Sequence, residues 1–182
     1  ATVRALKMHG GVPKNELAKE NIDALGLGMP NLLRHVSNIK NVFGLPCVVA
    51  LNRFPTDTDA EIAVVIEKCR GLGVNVALST VWADGGDGGV ELAKEVVRLC
   101  DIPSEFTFSC GLDLPIKDKI DAIVKKIYGG DGVVFTPQAQ KQMDELTSLG
   151  FAGLPICMAK TQYSFSDDAS KLGAPSFDAS SE

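Results

Sequence analysis

Three loops carry residue types that a plain connection does not need. The first, Asn52-Arg53-Phe54-Pro55-Thr56-Asp57, sets an aromatic ring and a proline directly behind an apolar run. The second, residues 80–89, reads Thr-Val-Trp-Ala-Asp-Gly-Gly-Asp-Gly-Gly and holds the single tryptophan, Trp82. The third opens on Lys160-Thr161-Gln162-Tyr163. If the runs before the first two loops are neighbouring parallel strands, about 4.8 Å apart, Phe54 and Trp82 face each other across a slot. A flat heteroaromatic ring suits such a slot, because aromatic faces stack. Lys160 then offers a charge to an anion, and Thr161 or Gln162 a hydrogen bond to a polar ring. Plainer alternatives stay open: two rings that cover a sheet edge, and a solvated lysine beside a turn.

The glycine loop admits a second chemistry. Glycines 85, 86, 88 and 89 permit close approach of a phosphate, and a helix start follows. The Lys and Ser/Thr of a Walker loop are missing, so a lid or a simple turn accounts for it as well. Gly129-Gly130-Asp131-Gly132 needs only to stop a helix. Lys7 and His9 follow an apparent strand end, His35 sits in a helical stretch, and Asp57 and Asp59 read as the polar start of a helix. No Ser-His-acid set, carboxylate pair or metal-ligand cluster emerges. The residues alone indicate a planar-ligand site, with catalytic groups unknown and no metal.

The surrounding pattern must position these loops. Thr2 to Leu6 reads as the end of a strand, broken by His9-Gly10-Gly11-Val12-Pro13. Ile22, Leu25, Met29, Leu32, Val36, Ile39 and Phe43 recur at helical spacing within 16–42, interrupted by Gly26, Gly28 and Pro30. Leu45 to Leu51 reads as a strand covered on both faces. Thr58 and Glu61 form a capping box ahead of a helix burying Ile62, Val65, Ile66 and Cys69. Val74 to Ser79 is the next strand, and Val90 to Leu99 a helix with Ala93, Val96 and Val97 inward. Glu105 to Ser109 reads as a short strand, and Ile116 to Ile127 as a helix. A further helix runs from Pro137 to about Leu149, and Leu154 to Ala159 is a last apolar strand. Strands separated by helices argue for an α/β fold with a mostly parallel sheet, in which ligands sit beyond the carboxyl ends of the strands.

Composition narrows the function classes. The 182 residues carry 18 Lys plus Arg against 23 Asp plus Glu, a formal charge of −5. That balance gives no support to nucleic-acid binding, which calls for a basic stripe. A hydrophobic content of 45% argues against disorder. The longest apolar run is far too short to span a membrane. The opening Ala1-Thr2-Val3-Arg4-Ala5 shows neither a leader nor an initiator Met, so processing or a fragment is expected. Five cysteines at irregular positions, without CxxC, read as free thiols of a reducing, cytoplasmic compartment.

Longer blocks carry a resemblance. They are Ala1-Thr-Val-Arg-Ala-Leu-Lys-Met-His-Gly-Gly11, Asn52-Arg-Phe-Pro-Thr-Asp-Thr58 and Val76-Ala-Leu-Ser-Thr-Val-Trp-Ala83. Leu114-Pro-Ile-Lys-Asp-Lys-Ile120, Ile127-Tyr-Gly-Gly-Asp-Gly132 and Leu154-Pro-Ile-Cys-Met-Ala-Lys-Thr-Gln-Tyr-Ser-Phe-Ser-Asp-Asp168 follow in order. Together they resemble formate–tetrahydrofolate ligase, also called 10-formyltetrahydrofolate synthetase, from residue 1 to about Phe177. The resemblance implies ligation of formate to tetrahydrofolate at the expense of ATP with Mg, through formyl phosphate, to give 10-formyltetrahydrofolate. It implies a pterin-type ring held by Phe54 and Trp82, with Pro55 and Leu78 beside them and Lys160 and Gln162 as polar contacts.

The resemblance also implies a P-loop or Rossmann-like three-layer sandwich, helices on both faces of a mostly parallel sheet, incomplete relative to the family. Residues 1–13 then belong to a nucleotide-binding domain, 14–165 to an α/β domain with part of the folate pocket, and 166–182 to a loosely ordered tail. No G-x-x-x-x-G-K-[ST] occurs in the 182 residues, so little or no ligase activity is expected from this chain alone. The alternative is a folate-binding or self-associating module without catalysis. The expected partners are formate, ATP and tetrahydrofolate, with no nucleic acid and no membrane, and either a homo-oligomer or association with the rest of the parent. The compartment is the cytoplasm, or the mitochondrion for a mitochondrial parent.

Overall fold

A computed structural model describes residues 1–159 and 163–174. It corrects the expected architecture. Helices dominate, and the described residues form one sheet of two strands, β1 (Val48–Asn52) and β2 (Asn75–Ser79). These two do pair in parallel, from Val48 opposite Asn75 to Asn52 opposite Ser79. A three-layer sandwich around a wide sheet is not what the chain builds.

Each missing strand has a local reason. Thr2 caps a helix instead: its hydroxyl accepts the Ala5 amide at 3.1 Å, and α1 runs Val3–His9. Arg4, Ala5, Leu6, Lys7 and Met8 are all good helix formers. At 105–109 the Thr107 amide is held by the Phe43 carbonyl at 3.1 Å and the Thr107 hydroxyl by the Val42 carbonyl at 2.7 Å, which fixes the segment to a turn rather than to a ladder. At 154–159, Lys119 Nζ donates to the carbonyls of Ala152 (2.5 Å) and Leu154 (3.0 Å). Pro155 has no amide to offer a neighbouring strand. β1 starts only at Val48, because Gly44 turns at φ +68° and Pro46 again lacks a donor.

The helices follow their sequence signals more closely. α2 (Ile22–Ser37) starts at Asn21, whose side chain accepts the Ala24 amide, carries Pro30 inside, and continues into a π-helical turn, Asn38–Val42. α3 (Asp59–Arg70) has the full Thr58/Glu61 capping box. α4 (Val81–Asp84) is a single turn. α5 (Val90–Cys100), α6 (Ile116–Ile123) and α7 (Pro137–Ser148) complete the order. On α5 the expected inward face is not covered: Ala93, Val96 and Val97 are exposed, because among the described residues no strand follows β2 to pack against them. Among the described residues all five cysteines are free, but only Cys69 is fully buried, and Cys100 and Cys157 are exposed.

The core lies where α1, α2 and α3 meet the two strands, around Val3, Leu25, Met29, Leu51, Val65 and Cys69. α1 and α2 touch backbone to backbone, and a Cβ on Gly28 would land on the Leu6 carbonyl oxygen. Inside this contact lies an ion pair, Lys7 Nζ to Glu61 Oε1 at 2.8 Å, with both side chains 0% exposed. Lys7 also donates to the Lys19 carbonyl at 2.8 Å, and Glu61 accepts the Asn21 amide at 3.0 Å and the Thr58 amide at 3.2 Å. Burial alone would raise the Glu61 carboxyl. Lys7 and the two amides outweigh it and hold the group below the ordinary value of 4.5.

The end of the described chain crosses α2. Phe165 is buried against His35 at 4.6 Å between ring centroids, and the Gly173 amide donates to His9 Nδ1 at 3.3 Å. Burial lowers both histidines from 6.5, with His9 and the N-terminal amine adding to the effect at His35. A base with a depressed folded value stabilises the fold above its unfolded pKa, and that stability is lost as pH falls through the folded value.

Two outcomes follow from these contacts. Lys7→Met strands a buried carboxylate and lowers unfolding stability by about 3–5 kcal/mol in a urea titration, whereas Lys7→Met/Glu61→Leu recovers most of that and leaves a deficit of about 1 kcal/mol for the lost cap. Below pH 6.5 the 163–174 segment loosens before the helical core does. Hydrogen exchange at the Gly173 amide, followed from pH 7.5 to 5, should rise ahead of exchange in α3.

Candidate functional site

The ends of β1 and β2 build the site. The ladder closes at Asn52 opposite Ser79, and the Arg53 amide still reaches the Ser79 carbonyl at 3.0 Å. The chain then leaves both strands on the same edge of the sheet. After β1, Phe54 and Asp57 close a tight turn: the Asp57 amide donates to the Phe54 carbonyl at 2.9 Å, and the Phe54 amide donates to Asp57 Oδ2 at 2.8 Å. Arg53 is steered away by Asp59 at 2.8 Å.

After β2 the glycine loop folds back as a tight turn over Gly85–Gly89, and the Thr80 amide donates to the Gly88 carbonyl at 3.1 Å. A Cβ on Gly88 would come within 2.5 to 2.7 Å of the Thr80 carbonyl and hydroxyl, so only glycine closes this loop. The closed loop presents α4, and α4 presents Trp82, which is 73% exposed. Arg53, Phe54, Pro55, Thr80, Trp82 and Ala83 line a shallow cavity of about 150 Å³. That is below the usual 300–1,000 Å³ of an enclosing ligand pocket. Its size suits part of a flat ring and would leave the rest of such a ring in the open.

The sequence-derived residues thus separate. Phe54, Pro55 and Trp82 meet in one cavity. Leu78 does not line it: it packs against the core and borders a different cleft, of about 490 Å³, along the outer edge of β2. That larger cleft has polar groups already engaged. Arg98, then Asn75, hold Glu95 at about 2, a fixed anion rather than a proton carrier. Lys160 and Gln162, with Thr161, lie outside the described residues.

Two residues were not read from the sequence as part of the site. Asp57 was taken for the polar start of a helix, yet it is 6% exposed and ties the Phe54 turn. The signal was the three-residue spacing from Phe54, the reach of a carboxylate to a backbone amide. Arg4 lies with its guanidinium carbon 5.1 Å from the Phe54 ring centroid. It was hidden because α1 was read as a strand.

The sequence model of formate–tetrahydrofolate ligase matches residues 1–178. The chain belongs to this family. Membership makes it part of an enzyme lineage of one-carbon metabolism.

The glycine loop is closed on Thr80 and carries no lysine, and among the described residues no group of three acidic, histidine or cysteine side chains stands ready for a cation. No described helix is long and apolar enough to cross a membrane.

Gly88→Ala tests whether the closed loop places Trp82. The clash with Thr80 should cost about 1–3 kcal/mol, and the steady-state anisotropy of the lone tryptophan should fall as α4 loosens. Unchanged anisotropy would mean that the turn does not hold the ring.

Proposed function

We propose that this chain is a folate-binding module of the formate–tetrahydrofolate ligase family, and that it grips the pterin-type ring of tetrahydrofolate between Phe54 and Trp82 without carrying the chemistry itself. The observation behind this reading is the exposure of Trp82. The largest side chain in the protein stands in water beside a second ring and a proline, on a one-turn helix closed by glycines. A ring so displayed at the rim of a cavity shared with a second ring is free to stack on a flat ligand. Pro55 adds a rigid edge, and Leu78 supports β2 from the core side.

In the whole enzyme this module serves, formate and ATP give formyl phosphate, and N10 of the bound folate takes the formyl group. Phosphoryl transfer of that kind depends on cations and donors fixed around the phosphates. Those groups lie elsewhere than in the Phe54–Trp82 cavity. Lys160 and Gln162 are proposed as polar contacts to the folate.

A second reading, association with a further copy or with other segments of the enzyme, has its own support. Phe106 and Phe108 stack edge to face at 4.8 Å centroid distance while largely exposed, and Val96 and Val97 on α5 are uncovered. Sedimentation over a concentration series would register it as a rising mass.

Trp82→Ala should weaken tetrahydrofolate binding, measured by calorimetry, by roughly tenfold or more, since aromatic stacking on a heterocycle contributes about 1–3 kcal/mol. Equal tetrahydrofolate affinity in the variant and the parent protein would sink the reading.

A further inference from the structure

Phe54 lines the cavity shared with Trp82, and the Arg4 guanidinium carbon lies over its ring, 5.1 Å from the centroid. Arg4 does not line that cavity. Its Nη2 donates to Thr56 Oγ1 at 3.1 Å, which anchors the cation to the Phe54 turn itself. The turn is closed again by Asp57, through the Phe54 amide at 2.8 Å.

A second observation singles out this corner. Among the described residues two buried side-chain polar atoms have no hydrogen-bond partner, Arg4 Nε and Asp57 Oδ1. Both belong to the residues that clamp Phe54. Folded proteins rarely leave such atoms unpaired, and each case calls for an explanation. An alternative packing of Arg4 with its fork fully paired would be the ordinary outcome. Here the guanidinium is instead spread on a ring face.

The physics of that contact is directional. A cation is attracted to the negative face of an aromatic ring and draws charge toward itself. The opposite face is left less negative, and a less negative face repels an electron-rich ring less. Reduction of the pyrazine half of a pterin makes the fused pyrimidine electron-rich, whereas the oxidised pterin is electron-poor.

Resting on the folate-binding reading above, we propose that Arg4 is a positioning residue of the ring site: it fixes Phe54 as a rigid plate and, through its charge, tunes that plate for a reduced rather than an oxidised pterin. Arg4 acts through Phe54 and touches no ligand. Its helix is set by the Lys7–Glu61 pair one turn further on, so the cation is delivered by the core and not by a mobile loop.

The test uses the 182-residue chain and its own reporter, quenching of the lone tryptophan, Trp82. Tetrahydrofolate and folic acid are titrated separately against the parent protein, Arg4→Met and Arg4→Lys. Arg4→Met should lose roughly three- to tenfold in tetrahydrofolate affinity, the size of one cation–π contact, and less than about twofold for folic acid. Arg4→Lys should recover most of the loss because the charge remains. Equal losses for both ligands would reduce Arg4 to a structural prop and overturn the proposal, as would unchanged binding of both. If Arg4→Met fails to fold by circular dichroism, Thr56→Val keeps the test alive. It frees the guanidinium from its anchor, and the ratio of the two affinities must still fall. A parent protein that binds neither ligand would instead overturn the folate-binding reading itself.

Discussion

The arrangement of this protein depends on one buried contact, the ion pair between Lys7 and Glu61. Both side chains are withdrawn completely from water, so neither charge is tolerable without the other. The pair therefore does more to specify than to stabilise. α1 must lie where Lys7 reaches Glu61, the Lys19–Asn21 turn must pass where its carbonyl and amide complete the two groups, and α3 must start at Thr58. A slipped register would bury a lone charge. The same carboxylate that completes a helix cap is the counter-ion of the core, which joins a local signal to a long-range one.

From that constraint the geometry of the site follows in two steps. α1, once fixed, lays Arg4 against Phe54 and its backbone along β1, where the Asn52 amide donates to the Ala1 carbonyl at 3.0 Å. β1 then fixes β2 through five paired positions, and the two strand ends release Phe54 and Trp82 on one edge. The two rings differ in how they are held. Phe54 is clamped by Arg4 and Asp57, whereas Trp82 stands on a single helical turn closed by Gly88. A rigid plate sets orientation, and a plate on a light support adapts its distance.

Legibility in the sequence divides along the same line between local and non-local physics. The Thr58/Glu61 box, the Thr136–Pro137 start of α7 and strands near 45–51 and 74–79 could be read, because capping, proline at the first turn and dense valine runs are local signals, while the pairing of the two strands stood only as a condition. The site residues Phe54, Pro55 and Trp82 could be brought together for the same reason, as loops beyond adjacent strands. Apolar runs at 105–109 and 154–159 were misread, since a strand exists only with a partner, and there a threonine and a lysine take the backbone groups first. α1 was misread because a lone capping threonine resembles a β-branched strand residue. With it the position of Arg4 was lost, and Leu78 was assigned to the ring site although it faces the core.

On the proposed folate-binding reading, the character of the cavity accounts for a separation of binding from chemistry. The ionisable groups beside Phe54 are spent on structure: Arg53 on Asp59, Arg4 on Thr56 and the ring, Asp57 on the Phe54 amide. A general acid or base must exchange a proton with its substrate, and the one ionisable residue that lines the cavity, Arg53, is a permanent cation paired with Asp59. The rest of the lining is Phe54, Pro55, Thr80, Trp82 and Ala83. Such a surface contributes ring affinity and orientation, and preorganisation makes that contribution large for its size, since little freedom is lost when the ligand arrives. On that reading, acyl transfer would need the reacting nitrogen to project beyond the stacked ring toward groups outside this cavity, and a shallow site is the shape that would permit it.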